Sequence, residues 1–299
     1  MKTKLFNLLI IFFLLFSGNI QAKKVLLRFN LQKGTIYSMA MDMTNTADQS
    51  IMGQNVKIDQ KMKMVLDWKV LDVLPNKNYL AEYSFGKISM EMNANGQNVN
   101  FDSENPAEND PTLAPLKEMK KVKLQIEFTN LGKVVKVTGM EDLISKISGN
   151  QTLSQSFQMF SSESNFESFF SQTFNYFPEK EVEKGDKWTS SMKLSTIMNM
   201  ETKMDFEVAD ITNDHVILNV NSVVNIDTPI EQQGMKIQLK MDGTQKGTMN
   251  INLKDGWLDE SNLIQNFTMN MKMKNPQSGE DLEIPIKMKS AVKISVERK

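Results

Sequence analysis

Cysteine is absent from the chain, and histidine occurs once, as His215. Without thiols there is no disulfide framework and no thiolate metal site. A lipid-anchored bacterial exported protein would also need a cysteine at its processed N-terminus, so lipid anchoring is not expected. Neither sign of charge is in excess: 35 Lys+Arg stand against 36 Asp+Glu. That balance leaves no bulk field to attract nucleic acid or an anionic surface. Phosphate-binding glycine loops, nucleophile elbows and basic aromatic strips do not occur.

Long apolar runs are confined to the start of the chain. Lys2 and Lys4 precede an apolar stretch from Leu5 to Phe16, broken only by Asn7, and Ser17, Gly18 and Asn19 end it before Ala22. A membrane-spanning helix needs about 20 apolar residues, and this run falls short. A positive start, a short apolar core and a small-residue exit make a signal peptide, with cleavage expected after Ala22. The expected product is exported, periplasmic or secreted, with no transmembrane segment once residues 1–22 are removed.

What is abundant is period-2 alternation, the mark of half-buried strands. Val25, Leu27 and Phe29 predict an opening strand that stops at Lys33-Gly34. Tyr37, Met39, Met41 and Met43 share one face of the next. From Val56 to Val73 the alternation runs through Ile58, Met62, Met64, Leu66, Trp68 and Val70, and Asn95-Gly96 is a two-residue hairpin signal. Asp110-Pro111 predicts a short helix start. After Trp188 the strand pattern resumes to Val296, punctuated by Thr212-Asn213-Asp214, Gln233-Gly234, Asp255-Gly256 and Ser278-Gly279. Strands this long exceed the usual five or six residues, which favours a strongly curved sheet over a flat one.

Two β portions, 23–137 and 179–299, flank a segment of different character at 138–178. Thr138 and Glu141 are spaced as a capping box, and phenylalanines follow at spacings of three and four. The portions also resemble each other. Lys33-Gly34-Thr35-Ile36-Tyr37-Ser38 parallels Lys184-Gly185-Asp186-Lys187-Trp188-Thr189, and Asp67-Trp68-Lys69-Val70-Leu71-Asp72 parallels Asp205-Phe206-Glu207-Val208-Ala209-Asp210. The expected fold is mainly β: a long, curved antiparallel sheet, a half-barrel or open barrel with a duplicated pattern. The helical insert is expected to pack on its concave face.

Methionine, at 23 residues, is the compositional oddity. Many fall in steps of two, which set them on one side of a sheet. They serve either as adaptable core filler or as a soft surface that accepts varied apolar ligands. A copper site on thioethers alone is disfavoured, because the methionines spread over many strands and have no cysteine partner. If the apolar side chains line a cavity, the candidates are Met39, Met41, Met62 and Met64 on the sheet and Phe157, Phe160, Phe166, Phe169, Phe170 and Phe174 on the insert. Catalytic and metal-ligating candidates are absent. His215 follows a turn with no marked nucleophile beside it, and the acids alternate with lysines as on a solvated face. The Asn93–Asn98 turn lacks the carboxylates of a calcium loop.

Three patterns together resemble an uncharacterised family of exported bacterial proteins, a domain of unknown function. They are Phe128-Thr129-Asn130-Leu131-Gly132-Lys133-Val134 running into Val137-Thr138-Gly139-Met140-Glu141, the stretch from Phe177-Pro178 to Lys187-Trp188, and Asp255-Gly256-Trp257-Leu258. More loosely, long curved strands under apolar helices resemble the LolA/LppX type of periplasmic lipid and lipoprotein carriers, which implies a half-barrel with a lipid-accepting cavity. The expected function is a non-enzymatic, cofactor-free binding or carrier module for an apolar ligand or a lipidated protein. The competing expectation is a structural or protein-interaction component of the cell envelope or secretome.

Overall fold

The computed structural model describes residues 23–51, 53–105, 119–148, 170, 174, 176–194, 200–232, 235–274 and 279–299. Twelve strands make one antiparallel sheet. They are β1 (Ile36–Ile51), β2 (Gln54–Val73), β3 (Tyr79–Ala94), β4 (Gln97–Asp102), β5 (Lys123–Phe128), β6 (Val134–Thr138), β7 (Lys187–Leu194), β8 (Met200–Ile211), β9 (His215–Gln232), β10 (Met235–Asn252), β11 (Leu258–Lys274) and β12 (Asp281–Arg298). The order is β6-β5-β3-β2-β1-β12-β11-β10-β9-β8-β7, with β4 hydrogen-bonded to β3. The sheet is open, because β6 and β7 at its two ends do not pair with each other among the described residues. The first and last strands, β1 and β12, lie side by side at its centre.

Alternation decides which side each residue faces, and the register carries that choice across the sheet. Met39, Met41 and Met43 of β1 stand opposite Leu66, Met64 and Met62 of β2 and opposite Val296, Ile294 and Val292 of β12. The intervening residues form the other face, which is a lattice of lysines and acids. Its cross-strand ion pairs include Lys63–Asp42 at 3.9 Å, Lys272–Glu283 at 3.4 Å and Lys187–Glu207 at 3.4 Å. Exposed pairs of this kind add little to stability, but a one-residue slip of a strand would break them, so they disfavour slippage.

One end of the apolar face is closed by an aromatic core. Trp257 stacks on Tyr37 with ring centroids 4.2 Å apart and also meets Phe29, Trp68 and Phe174. Phe174 stacks on Phe128 at 5.6 Å, and Phe170 packs against Trp68 and Tyr83. Residues from β5 and β6 at one edge and from β8 and β9 near the other join this core. The sheet therefore bends around its apolar side at that end. Bulges at Met64/Leu66, Val70/Asp72, Val208/Asp210 and Asn250/Ile251 fall in the same region, where extra residues sharpen the bend.

Val25 to Phe29 alternate in burial as expected but do not form a sheet strand. Val25 makes a single bridge to Val182. The segment instead crosses the closed end: Phe29 N–H donates to Asn130 O (2.9 Å) and Asn30 N–H to Asp255 O (3.0 Å). Arg28 reaches Pro178 O at 2.6 Å and Glu179 O at 2.7 Å. Leu27, Phe29 and Leu31 are buried because they wedge between distant turns, not because they pair in register. Two glycines permit that closure. A Cβ on Gly256, which has φ +73, would sit 2.0 Å from Arg28 O, and one on Gly132, which has φ +81, would sit 2.5 Å from the Phe174 Cβ.

Of the expected insert, one helix is described, α1 (Met140–Ser148). It begins at Met140, later than the Thr138–Glu141 spacing suggests, with Glu141 and Asp142 in its first turn, where acids complement the helix dipole. Met140 and Leu143 face the core. Residues 149–169, with the phenylalanines at 157, 160, 166 and 169, lie outside the described residues, as do the expected helix start at 110–111 and the turn at Gln233-Gly234. Placement of the whole insert on a concave face is accordingly no part of the fold described here.

The similarity between the two β portions has a physical counterpart. Gly34 N–H donates to Val70 O and Val70 N–H to Thr35 O, at 2.8 and 2.9 Å; Gly185, Val208 and Asp186 repeat the pair at 2.8 and 2.9 Å. Gly34 and Gly185 both have φ 91. Ser38 Oγ donates to Asp67 at 2.6 Å and Thr189 Oγ1 to Asp205 at 2.6 Å. Lys33–Asp72 and Lys184–Asp210 are each 3.1 Å. One strand-opening unit thus occurs twice, at the centre of the sheet in β1–β2 and at its edge in β7–β8.

Candidate ligand-binding face

Away from the aromatic core the same apolar face continues for several rungs with a different lining. Met241, Met269, Met271, Met273 and Met288 come into line through the β10–β11 and β11–β12 registers, alongside Ile284, Ile286 and Leu282. These side chains are half-buried, whereas the core aromatics are almost fully enclosed. Val224 and Ile226, with Met241 and Phe267 against them, form a second apolar cluster separate from the main core.

Between the two clusters runs a transverse line of neutral polar residues. Gln60 (β2) pairs with Asn45 (β1), Asn45 with Ser290 (β12), Ser290 with Gln265 (β11), Gln265 with Gln245 (β10) and Gln245 with Ser222 (β9). Asn45 Nδ2 donates to Gln60 Oε1 at 3.1 Å, Ser290 Oγ to Asn45 Oδ1, Gln265 Nε2 to Gln245 Oε1 at 2.6 Å, and Ser222 Oγ to Lys203 O at 2.7 Å. Gln60 Nε2 points at the Met90 sulfur, 3.3 Å away. Ser290, Gln245 and Ser222 are buried. An open groove of about 850 Å³ along β1–β4 includes Asn45, Gln60, Met90 and Met92 in its lining, together with charged residues of the other face.

The residues expected from sequence are distributed over these regions. Met39, Phe170 and Phe174 are in the packed aromatic core. Met41, Met62 and Met64 are half-buried on the sheet between that core and the polar line. Phe157, Phe160, Phe166 and Phe169 lie outside the described residues. The polar line was missed by sequence reading. Its signal is a break in the apolar parity, as at Met41, Met43, Asn45, Ala47; only the register aligns six such breaks.

The main titratable cluster lies at the closed end. Arg298 clasps Asp255 with Nε at 2.6 Å from Oδ2 and Nη2 at 3.0 Å from Oδ1, and reaches Asp259 with Nη1. His215 Nε2 lies 2.7 Å from Asp259 Oδ2, and Asn252 Nδ2 donates to the same oxygen at 3.1 Å. Asp255 also accepts from Tyr37 OH at 3.3 Å and from Trp257 N–H at 2.9 Å. Burial pushes the Asp259 carboxyl up, but hydrogen bonds from Asn252, Arg298 and His215 outweigh it and hold the group below the usual range. Desolvation, with Asp255 beside it, raises the Tyr37 phenol. The bonds tie the last strand to the β10–β11 turn, so His215 is a turn-edge residue in an ion-pair network.

A model of a family of unknown function, DUF6263, matches residues 76–258. The chain belongs to this family. The matched span runs from the β2–β3 turn to the first residue of β11, so it includes part of the closed end and, of the six strands that carry the polar line, β9 and β10 with Ser222 and Gln245. No curated protein matches. Among solved structures, lipovitellin ("lipid-protein interactions in lipovitellin") is similar with a TM-score of 0.49 at 7% identity, over 90% of this chain and 26% of that one. The chain thus spans about a quarter of lipovitellin's length. The translocator domain of autotransporter NalP from Neisseria meningitidis (TM-score 0.19, 6% identity, 88% and 89% of the two chains) and an outer membrane channel from Pseudomonas putida F1 (0.21, 7%, 90% and 97%) are more distant. Among the described residues no helix is long and apolar enough to cross a membrane.

Proposed function

We propose that this member of DUF6263 is an exported, non-enzymatic binding or carrier module for an apolar ligand, seated on the methionine-lined part of its sheet. The observation that carries the reading is the change in lining along one face. Where the face meets the core it is closed by the protein's own rings. Further along, thioether side chains are left half-exposed in rows across β10, β11 and β12. Thioethers are flexible and polarizable, and they fit an apolar guest of varied shape better than branched side chains do. A guest covering such a face gains about 25 cal/mol per Å² of apolar surface removed from water. The test is native purification followed by lipid extraction and mass spectrometry, with binding of a fluorescent apolar probe to the delipidated protein. Co-purifying lipid and saturable probe binding are expected; neither in a folded preparation ends the proposal.

A structural or protein-interaction role is favoured by one specific feature, the filled aromatic core in which Phe170 and Phe174 already sit against Trp68 and Phe128. Under that reading the methionine face is covered by a protein partner. Pull-down of a protein that competes with the apolar probe would separate the two.

A further inference from the structure

Resting on the reading of the methionine face as a ligand surface, we infer that the polar line selects ligands with an uncharged polar linkage within an apolar chain, of the acyl ester or amide class. Its six members are all amides or hydroxyls. The rung toward the core, Met62, Met43, Val292, Leu263, Gly247 and Val220, is apolar or glycine throughout. So is the rung beyond, Ile58, Ala47, Met288, Phe267, Gly243 and Val224.

A buried amide flanked only by apolar groups is costly unless its donors and acceptors are matched. The Gln265–Gln245 bond uses one donor and one acceptor and leaves a carbonyl on one side chain and an amide N–H pair on the other. Among the described residues those groups have no other protein partner and are reached by water, so a ligand that covers them must match them. They match an amide, whose carbonyl accepts and whose N–H donates, or a glycerol ester, whose carbonyl accepts and whose free hydroxyl donates.

Strand register does not require the line. β1 and β2 pair from Ile51 and Gln54 onward, and β9 and β10 from Gln232 and Met235, so connections of two residues already set it. At the Gln245–Gln265 pair a carboxylate or phosphate would find no lysine on its own face, since the lysines of β10 and β11 alternate onto the opposite one. Its charge would be buried without a partner. A plain alkane would cover the amides and leave them unmatched. Affinity is expected in the order ester or amide, then free acid and alkane.

The experiment is displacement of 1-N-phenylnaphthylamine from delipidated protein by 1-monopalmitoylglycerol, palmitate and hexadecane. It is repeated on the double variant Gln245→Met, Gln265→Met, with circular dichroism and thermal unfolding as controls. For the wild-type protein the monoacylglycerol is expected to bind about tenfold more tightly than palmitate, the effect of one or two neutral hydrogen bonds. In the variant that advantage disappears while phenylnaphthylamine binds as before. Equal binding of ester, acid and alkane to the wild-type protein overturns the inference without any variant being folded, and so does an unchanged ester preference in a folded variant. Failure of phenylnaphthylamine and all three ligands to bind overturns the underlying reading, and this inference with it.

Discussion

The two ends of one sheet face are built on the same strands and the same alternation, yet they behave as different materials. At the closed end, wide rings from β1, β2, β5 and the β10–β11 turn interlock around Trp257, and bulges bend the strands to meet them. At the other end the strands run without bulges, the side chains are thioether and aliphatic, and many remain half-exposed. Alternation alone decides that a face is apolar. Residue type and local bulging decide whether it becomes sealed core or accessible surface.

Truncation breaks this contrast most directly. Trp257 is 1% exposed and touches four aromatic partners. Trp257→Ala should cost about 3–5 kcal/mol in urea unfolding, as large-to-small core changes do. Met271→Ala, on the same face, should cost no more than about 1 kcal/mol, because the site is already half open. Similar losses at both positions would mean that the methionine end is sealed core and that the two ends are one material after all.

The next effect concerns how the closed end is fastened. Arg298→Ala frees Asp255 from its bidentate partner and should cost about 1–3 kcal/mol by the same measurement. The same network sets an acid limit. Asp259 has a folded pKa below its usual value, so its contribution is fully present above about pH 4. It is lost as pH falls through the depressed value, when the protonated carboxyl can no longer accept from Asn252, Arg298 and His215. Unfolding midpoints of wild-type protein should therefore drop below pH 4 more steeply than those of Asp259→Asn. Parallel curves would show that the network does not couple to acid stability.

Much of this architecture is legible in the sequence, for a definite reason. Period-2 runs such as Ile58, Met62, Met64, Leu66, Trp68 are long enough that strand, facing and hairpin positions follow together. The shared strand-opening unit at Gly34 and Gly185 is visible as similar words and recurs as matching hydrogen bonds. What the sequence hides is set by distance along the chain. Val25 to Phe29 have a strand's alternation, but their partners are turns at Asn130 and Asp255, which no local pattern announces. The Arg298–Asp255 clasp spans the same kind of gap. The polar line is harder still, since each member is one polar residue in one strand and becomes a feature only when the five registers between six strands are laid together.

The smallest expected change in stability is the one that bears most on purpose. Met269 and Met271 sit two residues apart on β11, opposite Ile286 and Ile284, with the Phe267–Met288 rung between them and the polar line. Replacing both by glutamine keeps side-chain length and leaves the strand's alternation in volume intact while removing apolar surface. Because both sites are half-exposed, stability should move by less than about 1 kcal/mol. Phenylnaphthylamine affinity should nevertheless fall about tenfold, because a guest lying there loses apolar contact that the folded protein itself scarcely uses. The same double change at the closed end, where rings are enclosed, would instead unfold the protein without a separable effect on binding. A stable glutamine variant with undiminished probe affinity would put the guest elsewhere on the sheet and leave the methionine end as surface without a ligand.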